Sequence, residues 1–387
     1  MAGSRLEQVD PPEGRLLVIG AGAGDVASFD PARTVVVQRQ KPAHDAVAAQ
    51  GFRTLVAVDG PADGAVVILP RARAEARASV AAAAAALPPG APLWIDGQKT
   101  DGVDAMLKDL RALGPVEDVR SKAHGKIFRV TVPEGDWLPQ DWAAAETRVG
   151  NFVTLPGVFS ADGPDPGSQL LAAHLPDRMP TRVVDMGAGW GWLAAQILSR
   201  PGVEVVHLVE SDHAALDCAR RNVTDPRAQF HWADATAFRL PDPVNGVVMN
   251  PPFHAGRAAD PHLGVRFIRA AAGLLTGAGR LWMVANRHLP YEAALAERAD
   301  DLARLPAPFA VESPPELTDR LAALAGGSEC GARRAHAHPE LALAREGHVG
   351  HTQPGFPPVP LLPHLPASRG SRLRPAQRGA PTVQRRP

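Results

Sequence analysis

The feature that most constrains the fold is the segment 181–195, in which an apolar run leads directly into closely spaced glycines and then into helix-forming residues. The apolar run predicts a buried strand, and the glycines predict a tight turn at the start of a helix. The turn carries the pattern Asp-x-Gly-x-Gly-x-Gly, formed by Asp185, Gly187, Gly189 and Gly191. A carboxylate before the first glycine would repel a pyrophosphate, so the pattern favours a ligand with an amino-acid or sulfonium end over a dinucleotide.

Three later apolar runs also lead into a polar side chain, namely Glu210, Asp234 and Asn250. In an α/β sheet the carboxyl ends of parallel strands meet at one edge, where such sheets bind ligands. At that edge Glu210 is well placed to bridge two ribose hydroxyls, and Asp234 to accept a hydrogen bond from an adenine amino group. The glycine turn alone is a weak signal, but the ordered set of four strand ends indicates a ligand-binding crevice.

The segment from Asn250 to Phe253 reads Asn-Pro-Pro-Phe and follows the last of these runs. The prolines end the ladder of backbone hydrogen bonds and fix the turn that follows. Such a turn brings the Asn250 amide, the Pro251 carbonyl and the Phe253 ring into one small space. These groups suit a flat substrate with an NH2 group, because two acceptors meet its protons and an aromatic face meets its ring. A turn-forming asparagine before proline is the purely structural alternative.

The first half of the chain alternates between apolar runs and helical segments, as in a doubly wound α/β domain. Its first strand is followed by the glycine-rich turn 20–24, which is how nucleotide-binding sheets begin. Its second strand is followed by Gln38, whereas a ribose-binding site would place an acid there. We therefore predict a scaffold domain that binds no cofactor, with residual nucleotide binding at residues 20–24 as the alternative.

Residues 150–298 resemble class I S-adenosylmethionine-dependent methyltransferases that carry an Asn-Pro-Pro-Phe loop. Within that class, three further segments resemble the bacterial small-subunit ribosomal RNA guanine-N2 methyltransferases of type C. These segments are Thr154–Ser160 (TLPGVFS), Gly167–Leu171 (GSQLL) and Ala285–Tyr291 (ANRHLPY). The resemblance does not extend into the C-terminal tail.

The resemblance implies an α/β fold with two tandem Rossmann-like methyltransferase domains, the first degenerate, while the composition of the C-terminal tail predicts that it is irregular. The expected bounds are 14–133 for the degenerate domain, 134–167 for a linker and substrate loop, 168–305 for the catalytic domain and 306–387 for an atypical, disordered tail. Ser168 is the predicted N-cap of the first helix in the catalytic domain, after a segment without regular structure.

The resemblance also implies a role for each candidate site residue. The cofactor S-adenosylmethionine would be held at its methionine part by Asp185, Gly187, Gly189 and Gly191, at its ribose by Glu210 and at its adenine by Asp234. The side-chain oxygen of Asn250 and the carbonyl of Pro251 would accept hydrogen bonds from a guanine NH2, and Phe253 would stack on the base. Two acceptors restore lone-pair character to this poorly nucleophilic nitrogen and align it with the methyl group.

The implied function is methylation of an exocyclic amine, guanine N2 in the 16S ribosomal RNA of the small subunit. Ribosomal RNA or the small subunit is then the expected partner. A second hypothesis keeps the cofactor and changes the acceptor, because the same loop suits adenine N6 or a glutamine side-chain amide in a protein. A third hypothesis is a non-catalytic RNA-binding or assembly protein, if the C-terminus is damaged.

Composition limits the remaining possibilities. Basic and acidic residues number 41 each, which argues against a protein that is basic overall and binds nucleic acid through its net charge. The last 22 residues hold six arginines and no acid, so the rest of the chain carries 35 basic and 41 acidic residues. The two cysteines, Cys218 and Cys330, have no metal-binding spacing. A polar N-terminus and the lack of a long apolar run predict a cytoplasmic protein without metal or membrane partners.

The tail 306–387 is rich in Pro, Ala, Arg, Gly and His and has few β-branched residues. The family would place a strand hairpin here, as the first half does before Val132, yet no alternating run predicts one. We therefore expect the closing strand pair to be missing, and its absence, together with the unpatterned composition rich in Arg and Pro, suggests a reading-frame shift after Glu297. A basic tail that binds RNA is the alternative.

Overall fold

The structure is a computed structural model, which describes residues 5–252, 254–255, 258–259, 261–286, 309–312 and 341–346. The chain divides into two compact units, Met1–Gly347 and His348–Pro387, and every described residue lies in the first. No helix within the described ranges is long and apolar enough to cross a lipid bilayer.

The first half forms one sheet of seven strands. The strands are β1 (Leu16–Ile19), β2 (Thr34–Val37), β3 (Arg53–Leu55), β4 (Gly64–Ile68), β5 (Pro92–Gln98), β6 (Glu117–Lys122) and β7 (Gly125–Thr131). The helices are α1 (Lys41–Ala48), α2 (Arg73–Ala85) and α3 (Val103–Arg111), with short 3-10 turns at Arg5–Gln8 and Lys99–Asp101. The spatial order is β3-β2-β1-β4-β5-β7-β6, with β7 antiparallel to both of its neighbours.

The second half begins with a 3-10 turn at Gln140–Trp142 and a two-stranded antiparallel pair, β8 (Thr147–Val149) and β9 (Phe152–Thr154). A second large sheet follows. The helices of the second half are α4 (Pro166–His174), α5 (Trp192–Leu198), α6 (His213–Asn222) and α7 (Pro261–Leu274). The remaining strands are β10 (Arg182–Met186), β11 (Val205–Glu210), β12 (Ala228–Trp232), β13 (Val244–Met249), β14 (His254–Ala255), β15 (Ala258–Ala259), β16 (Leu275–Asn286), β17 (Phe309–Glu312) and β18 (Leu341–Glu346).

The second sheet has the order β12-β11-β10-β13-β16-β18-β17, which repeats the order of the first sheet strand for strand. The predicted α/β fold with two Rossmann-like sheets is therefore confirmed. The residue bounds of the domains, 14–133, 134–167, 168–305 and 306–387, stay predictions. Strands β14 and β15 form a separate small hairpin after Asn250.

The central strands read as unbroken apolar runs because both of their faces are buried. In β1, Leu17 packs into the core on one face of the sheet while Val18 packs into the core on the other. In β10, Val183 and Val184 divide between two cores in the same way. This alternation fixes the register of each strand, because a slip of one residue would exchange its two faces.

The prediction that no closing strand pair follows β16 is wrong for the described part of the tail. Strands β17 and β18 pair antiparallel to each other, and β18 pairs antiparallel to β16. The sequence of β18, LALARE, contains no β-branched or aromatic residue, and β17 has only the four residues FAVE, so composition did not predict a strand pair. The free edge of β16 supplies a ladder of backbone donors and acceptors that a weak strand former can still join. The hypothesis of a frame shift after Glu297 loses one of its two observations and stays a prediction that rests on the composition of the tail.

Two further expectations for the segment before β10 need correction. The segment contains regular structure, the β8–β9 pair. Helix α4 begins at Pro166 and not after Ser168, and its N-cap is Asp165, whose side chain accepts a hydrogen bond from the Ser168 N–H. An aspartate directly before a proline at the first helical position is a strong start signal, since that proline needs no donor there.

In the first sheet, the place of a ribose-binding acid is taken by Gln38, which is buried. Its Nε2 donates to the Ala21 carbonyl over 2.9 Å, and its Oε1 accepts from the Gln40 N–H over 2.9 Å. The Gln38 side chain therefore forms a hydrogen bond with the glycine-rich turn itself. This arrangement favours the scaffold interpretation over nucleotide binding at residues 20–24.

Arg39, just after β2, links the first sheet to the second half of the chain. Its Nη2 lies 2.8 Å from Glu75 Oε1 and 3.1 Å from Asp212 Oδ2. Its Nη1 donates to the Pro156 carbonyl over 3.4 Å, and its own carbonyl accepts from the His213 N–H over 2.9 Å. One arginine thus contacts the start of α2, the segment after β9 and the turn that leads into α6.

We predict that Glu75→Gln stabilises the protein at pH 8 but hardly changes it at pH 5. Burial, together with the charge of Asp212, raises the pKa of Glu75 from 4.5 to about 7, although Arg39 acts in the opposite direction. The folded state thus retains this proton where the unfolded state has lost it, so the stability due to Glu75 falls as the pH rises from about 5 to 8. Urea unfolding should give the variant a gain of about 2 kcal/mol at pH 8.

The matched control for this experiment is Glu134→Gln, because Glu134 is an exposed glutamate of the same half of the chain. It should leave the pH dependence of the unfolding free energy unchanged. A Glu75→Gln variant that is less stable than wild type at pH 8 would show that the ion pair with Arg39 outweighs the cost of burial.

Candidate active site

The candidate site residues come together because four parallel strands end at one edge of the second sheet. Met186 pairs with Val209 on one side and with Met249 on the other, so β10, β11 and β13 end level. Glu210 pairs with Trp232, which extends the row to β12. The row along the edge is therefore Asp234, Glu210, the glycine turn and Asn250, in the order of the strands.

The glycine turn contributes space and not hydrogen-bond donors. The N–H groups of Gly187 and Ala188 both donate to the Val209 carbonyl, over 2.8 and 3.1 Å, and the Gly189 N–H donates to Glu210 Oε2 over 2.8 Å. The N–H groups of residues 187–189 are thus all used in hydrogen bonds within the protein. A Cβ on Gly189 would meet nothing within 4 Å, so a ligand can approach the backbone there.

Gly191 has a different reason to be glycine. It is the N-cap of α5 with φ +86°, and a Cβ there would lie 2.9 Å from a methyl group of Val223. The residue faces the packed core below the turn. Its role in holding the cofactor stays a prediction.

Asp185 lies within β10, two residues before the turn, and only 1% of it is exposed. Its Oδ2 is buried and has no hydrogen-bond partner among the described residues. Burial first, and the charge of Glu210 second, raise the pKa of this carboxyl to about 8. A buried carboxylate oxygen without a partner fits a cationic ligand group, which would both pair with the charge and lower its pKa.

Glu210 ends β11 and is half-buried. Its Oε1 accepts from the Asp212 N–H over 2.7 Å, while Oε2 accepts from the Gly189 N–H. Burial raises the pKa of this carboxyl, and these backbone hydrogen bonds act in the opposite direction. Oε1 also accepts from Ser211 Oγ over 3.3 Å, so the side chain ties the glycine turn to the turn before α6, and Oε2 retains a lone pair for a hydroxyl.

Asp234 follows β12 and closes a local turn. Its Oδ1 accepts from the N–H and the hydroxyl of Thr236, over 2.8 and 2.7 Å. This arrangement holds the carboxylate still at the far end of the row. Its contact with an adenine stays a prediction.

Asn250 lies at the other end of the row, where its amide nitrogen donates two hydrogen bonds. Nδ2 lies 2.9 Å from Asp165 Oδ2 and 2.9 Å from Ser168 Oγ. Both acceptors belong to the start of α4, which packs against β16. Pro251 is buried next to Asn250, and Phe253 lies outside the described residues.

An open pocket lies between the glycine turn and Asn250. It brings together three of the predicted residues, Gly187, Gly189 and Asn250. The other lining residues are Phe159, Ser160, Asp165, Ser168, Ala188, Trp190, Trp192 and Leu193. Asp185, Glu210 and Asp234 are not part of its wall; they lie below or beside it along the strand ends.

Phe159 and Ser160 form the outer wall of this pocket, and neither was predicted as a site residue. Phe159 is 63% exposed, and its carbonyl accepts a hydrogen bond from Trp190 Nε1 over 3.0 Å. Ser160 has a φ of +52°, which is rare for a residue other than glycine. Gly157 has φ +84°, and a Cβ there would overlap the carboxylate of Glu75, so this glycine lets the loop lie against α2.

Comparisons with known proteins agree with this geometry. The family model of the methyltransferase small domain matches residues 150–305. The ribosomal RNA small subunit methyltransferase C of Hahella chejuensis is 31% identical over 243 residues, which cover 60% of this chain and 71% of that protein. The protein of the same name from Pseudomonas paraeruginosa is 32% identical over 241 residues, with 60% and 72% coverage.

A solved structure is similar over both sheets. The T. thermophilus 16S rRNA N2 G1207 methyltransferase (RsmC), in complex with AdoMet and guanosine, superposes with a TM-score of 0.66 at 25% identity. The match covers 80% of this chain and 88% of that one. The resemblance proposed from the sequence is confirmed, and this chain belongs to the ribosomal RNA small subunit methyltransferase C family.

Proposed function

We propose that this protein transfers a methyl group from S-adenosylmethionine to the exocyclic N2 of a guanine in 16S ribosomal RNA. The observation that carries the proposal is the shared pocket, in which the glycine turn and the Asn250 amide face the same space. A methyl donor and an amine acceptor must meet in one cavity for transfer. The relatives named above and the complex with AdoMet and guanosine favour guanine N2 over adenine N6 or a protein amide.

Asn250 acts on the amine through its side-chain oxygen. Both acceptors around its Nδ2 lie on α4, so Oδ1 is the atom left to accept a hydrogen bond from the guanine NH2. That hydrogen bond, with a second one to the Pro251 carbonyl, keeps the nitrogen lone pair out of the ring and orients it. The amide does not take the proton, which passes to water once the nitrogen has been alkylated.

The cofactor residues fit the group that the family uses. S-Adenosylmethionine supplies a methyl group that is bonded to a cationic sulfur. Once the methyl group has been transferred, the sulfur is a neutral thioether. Asp185 would pair with the ammonium of its methionine part, Gly187 and Gly189 would let it approach the backbone, and Glu210 would accept from its ribose hydroxyls. Asp234 would accept from its adenine. The unpartnered oxygen of Asp185 supports this assignment.

We predict that the purified protein transfers labelled methyl to small ribosomal subunits or to 16S ribosomal RNA, and that digestion of the RNA yields N2-methylguanosine. Asn250→Ala should lower kcat by about 100-fold or more, because the amine loses a positioned acceptor in the transition state. Ser199→Ala, on an exposed residue after α5, should leave kcat unchanged.

Other products would identify other functions. Label in N6-methyladenosine or in a protein glutamine would replace the guanine assignment with one of the alternatives. If the protein shows no binding of S-adenosylmethionine in calorimetry, both enzyme hypotheses fail.

We predict that the binding of S-adenosylmethionine releases up to one proton near pH 6.5. Asp185 has a pKa of about 8 in the ligand-free protein, so it is protonated at that pH, and pairing with an ammonium favours its charged form. Affinity should therefore rise with pH between 6 and 7, by up to about tenfold. Calorimetry in buffers of different ionisation enthalpy measures the proton directly.

The Asp185→Asn variant should bind the cofactor more weakly at pH 7.5 and should release no proton. S-Adenosylhomocysteine should lose the same affinity, because it carries the same ammonium. Asp177→Asn, on an exposed aspartate of the same half, is the control and should keep both the affinity and the proton release. Unchanged proton release in Asp185→Asn would contradict the assignment.

A further inference from the structure

We infer that Asp165 and Ser168 are positioning residues, which orient the Asn250 amide so that its oxygen, and not its nitrogen, faces the guanine amine. The inference rests on the proposed function. An asparagine amide can occupy the same space in two orientations related by a half-turn. Only one of them accepts a hydrogen bond from an NH2 group, since the other presents a second donor to it.

The contacts of Asn250 select the accepting orientation. Its Nδ2 donates to Asp165 Oδ2 and to Ser168 Oγ, over 2.9 Å in each case. An ionised carboxylate can only accept hydrogen bonds, so the amide nitrogen must face it. The inverted amide would place its oxygen against the carboxylate, with two acceptors in contact and no proton between them. Both protons of Nδ2 are used, and Oδ1 accepts from no donor among the described residues.

The two acceptors are themselves held by the helix start. Asp165 Oδ2 accepts from the Ser168 N–H over 2.8 Å, so the N-cap of α4 and the amide of Asn250 share one oxygen atom. A Cβ on Gly167 would lie 3.0 Å from Asp165 Oδ2, so glycine at this position leaves room for the carboxylate, and the methyl groups of Val284 on β16 lie close by. The carboxylate charge is also favoured at a helix N-terminus. The start of α4 thus acts as a rigid clamp for the amide.

The clamp predicts the outcome of an exchange experiment. Asn250→Asp alone brings a second carboxylate into contact with Asp165 and should lower kcat for methyl transfer by at least about 100-fold. Adding Asp165→Asn exchanges the positions of the amide and the carboxylate. The amide at position 165 can then donate a hydrogen bond to the carboxylate at position 250. The Ser168 hydroxyl can rotate and donate to that carboxylate as well. The double variant should recover about tenfold or more of the lost kcat, with KM for the RNA little changed. If the second substitution recovers nothing, the orienting role of Asp165 is overturned.

Ser168→Ala tests the other half of the clamp. It removes one of the two acceptors but keeps the helix cap, which uses the Ser168 backbone. The kcat should fall about three- to tenfold, the size of one hydrogen bond, while KM, the Kd of S-adenosylmethionine and Tm stay near wild type. Ser199→Ala is the matched control. The role of Ser168 would be rejected if kcat does not fall. It would also be rejected if kcat falls together with a clear drop in Tm.

Failure of the proposed function can be told apart from failure of the clamp. If the wild-type protein does not methylate guanine N2, the proposed function fails. If the wild type does so and the losses from Asn250→Asp and Asp165→Asn simply add, only the clamp fails.

A second, independent observation assigns a substrate contact to Phe159, and we infer that its ring stacks on the target guanine. The ring is 63% exposed and lines the pocket that Asn250 also lines. Its backbone is fixed, because Trp190 Nε1 donates to its carbonyl and the side chain of its neighbour Val158 is buried. An aromatic ring held in water by a rigid loop gives the fold no burial energy, whereas stacking on a base gives about 1–3 kcal/mol.

Phe159→Ala should therefore lower kcat/KM for the RNA about five- to 150-fold, mainly through KM, and leave the Kd of S-adenosylmethionine unchanged. Phe159→Trp should retain most of the activity, because it keeps an aromatic face. Leu113→Ala is the matched control, since Leu113 is the other large apolar side chain that is exposed in the described part of the chain. If Phe159→Ala stays within about twofold of wild type while the wild type methylates guanine N2, the stacking role is overturned and the proposed function stands.

Discussion

The candidate active site depends on the register between β10 and its two parallel neighbours. Met186 pairs with Val209 and with Met249, so three strands of different origin in the sequence end at the same level. Each strand carries its polar residue at or just beyond its end, and the ladder converts these separate residues into a row. A slip of one residue in any strand would turn its side chains to the opposite face and break that row.

The first sheet repeats this strand order but lacks the chemistry at its edge. Gln38 binds the turn that would otherwise receive a ligand, and Arg39 reaches across to Asp212 and to the Pro156 carbonyl. Asp212 caps α6, directly after Glu210 and Ser211 of the second sheet. The edge of the first sheet thus contacts the turn that leads into α6 at the edge of the second sheet, and it also contacts the loop that carries Phe159.

The strand ends could be predicted from the sequence because each is a local pattern, an apolar run followed by a polar residue or a glycine. The glycine turn was predicted for the same reason, but the use of its N–H groups was not, because Val209 and Glu210 are about 20 residues away along the chain. The contact between Asn250 and Asp165 joins residues 85 positions apart, and no pattern within either segment indicates it. Asp165 was identifiable only as a helix cap. The closing strands were missed because β18 has no strong strand former of its own; it pairs with the open edge of β16, and the short strand β17 pairs with β18.

The electrostatics of the site follow from how these elements meet. Burial raises the pKa of Asp185, Glu210 and Asp212. It also raises the pKa of Glu75, which contacts the same arginine, Arg39, as Asp212 does. Arg39 is the cation that contacts both Glu75 and Asp212, whereas Asp185 Oδ2 has no partner among the described residues, so Asp185 is the carboxyl that favours a positively charged ligand group. A sulfonium cofactor with an ammonium group carries such charge, and methyl transfer removes the charge on sulfur. The ammonium is present in both the methyl donor and the demethylated product, so pairing with Asp185 should favour both of them in the same way.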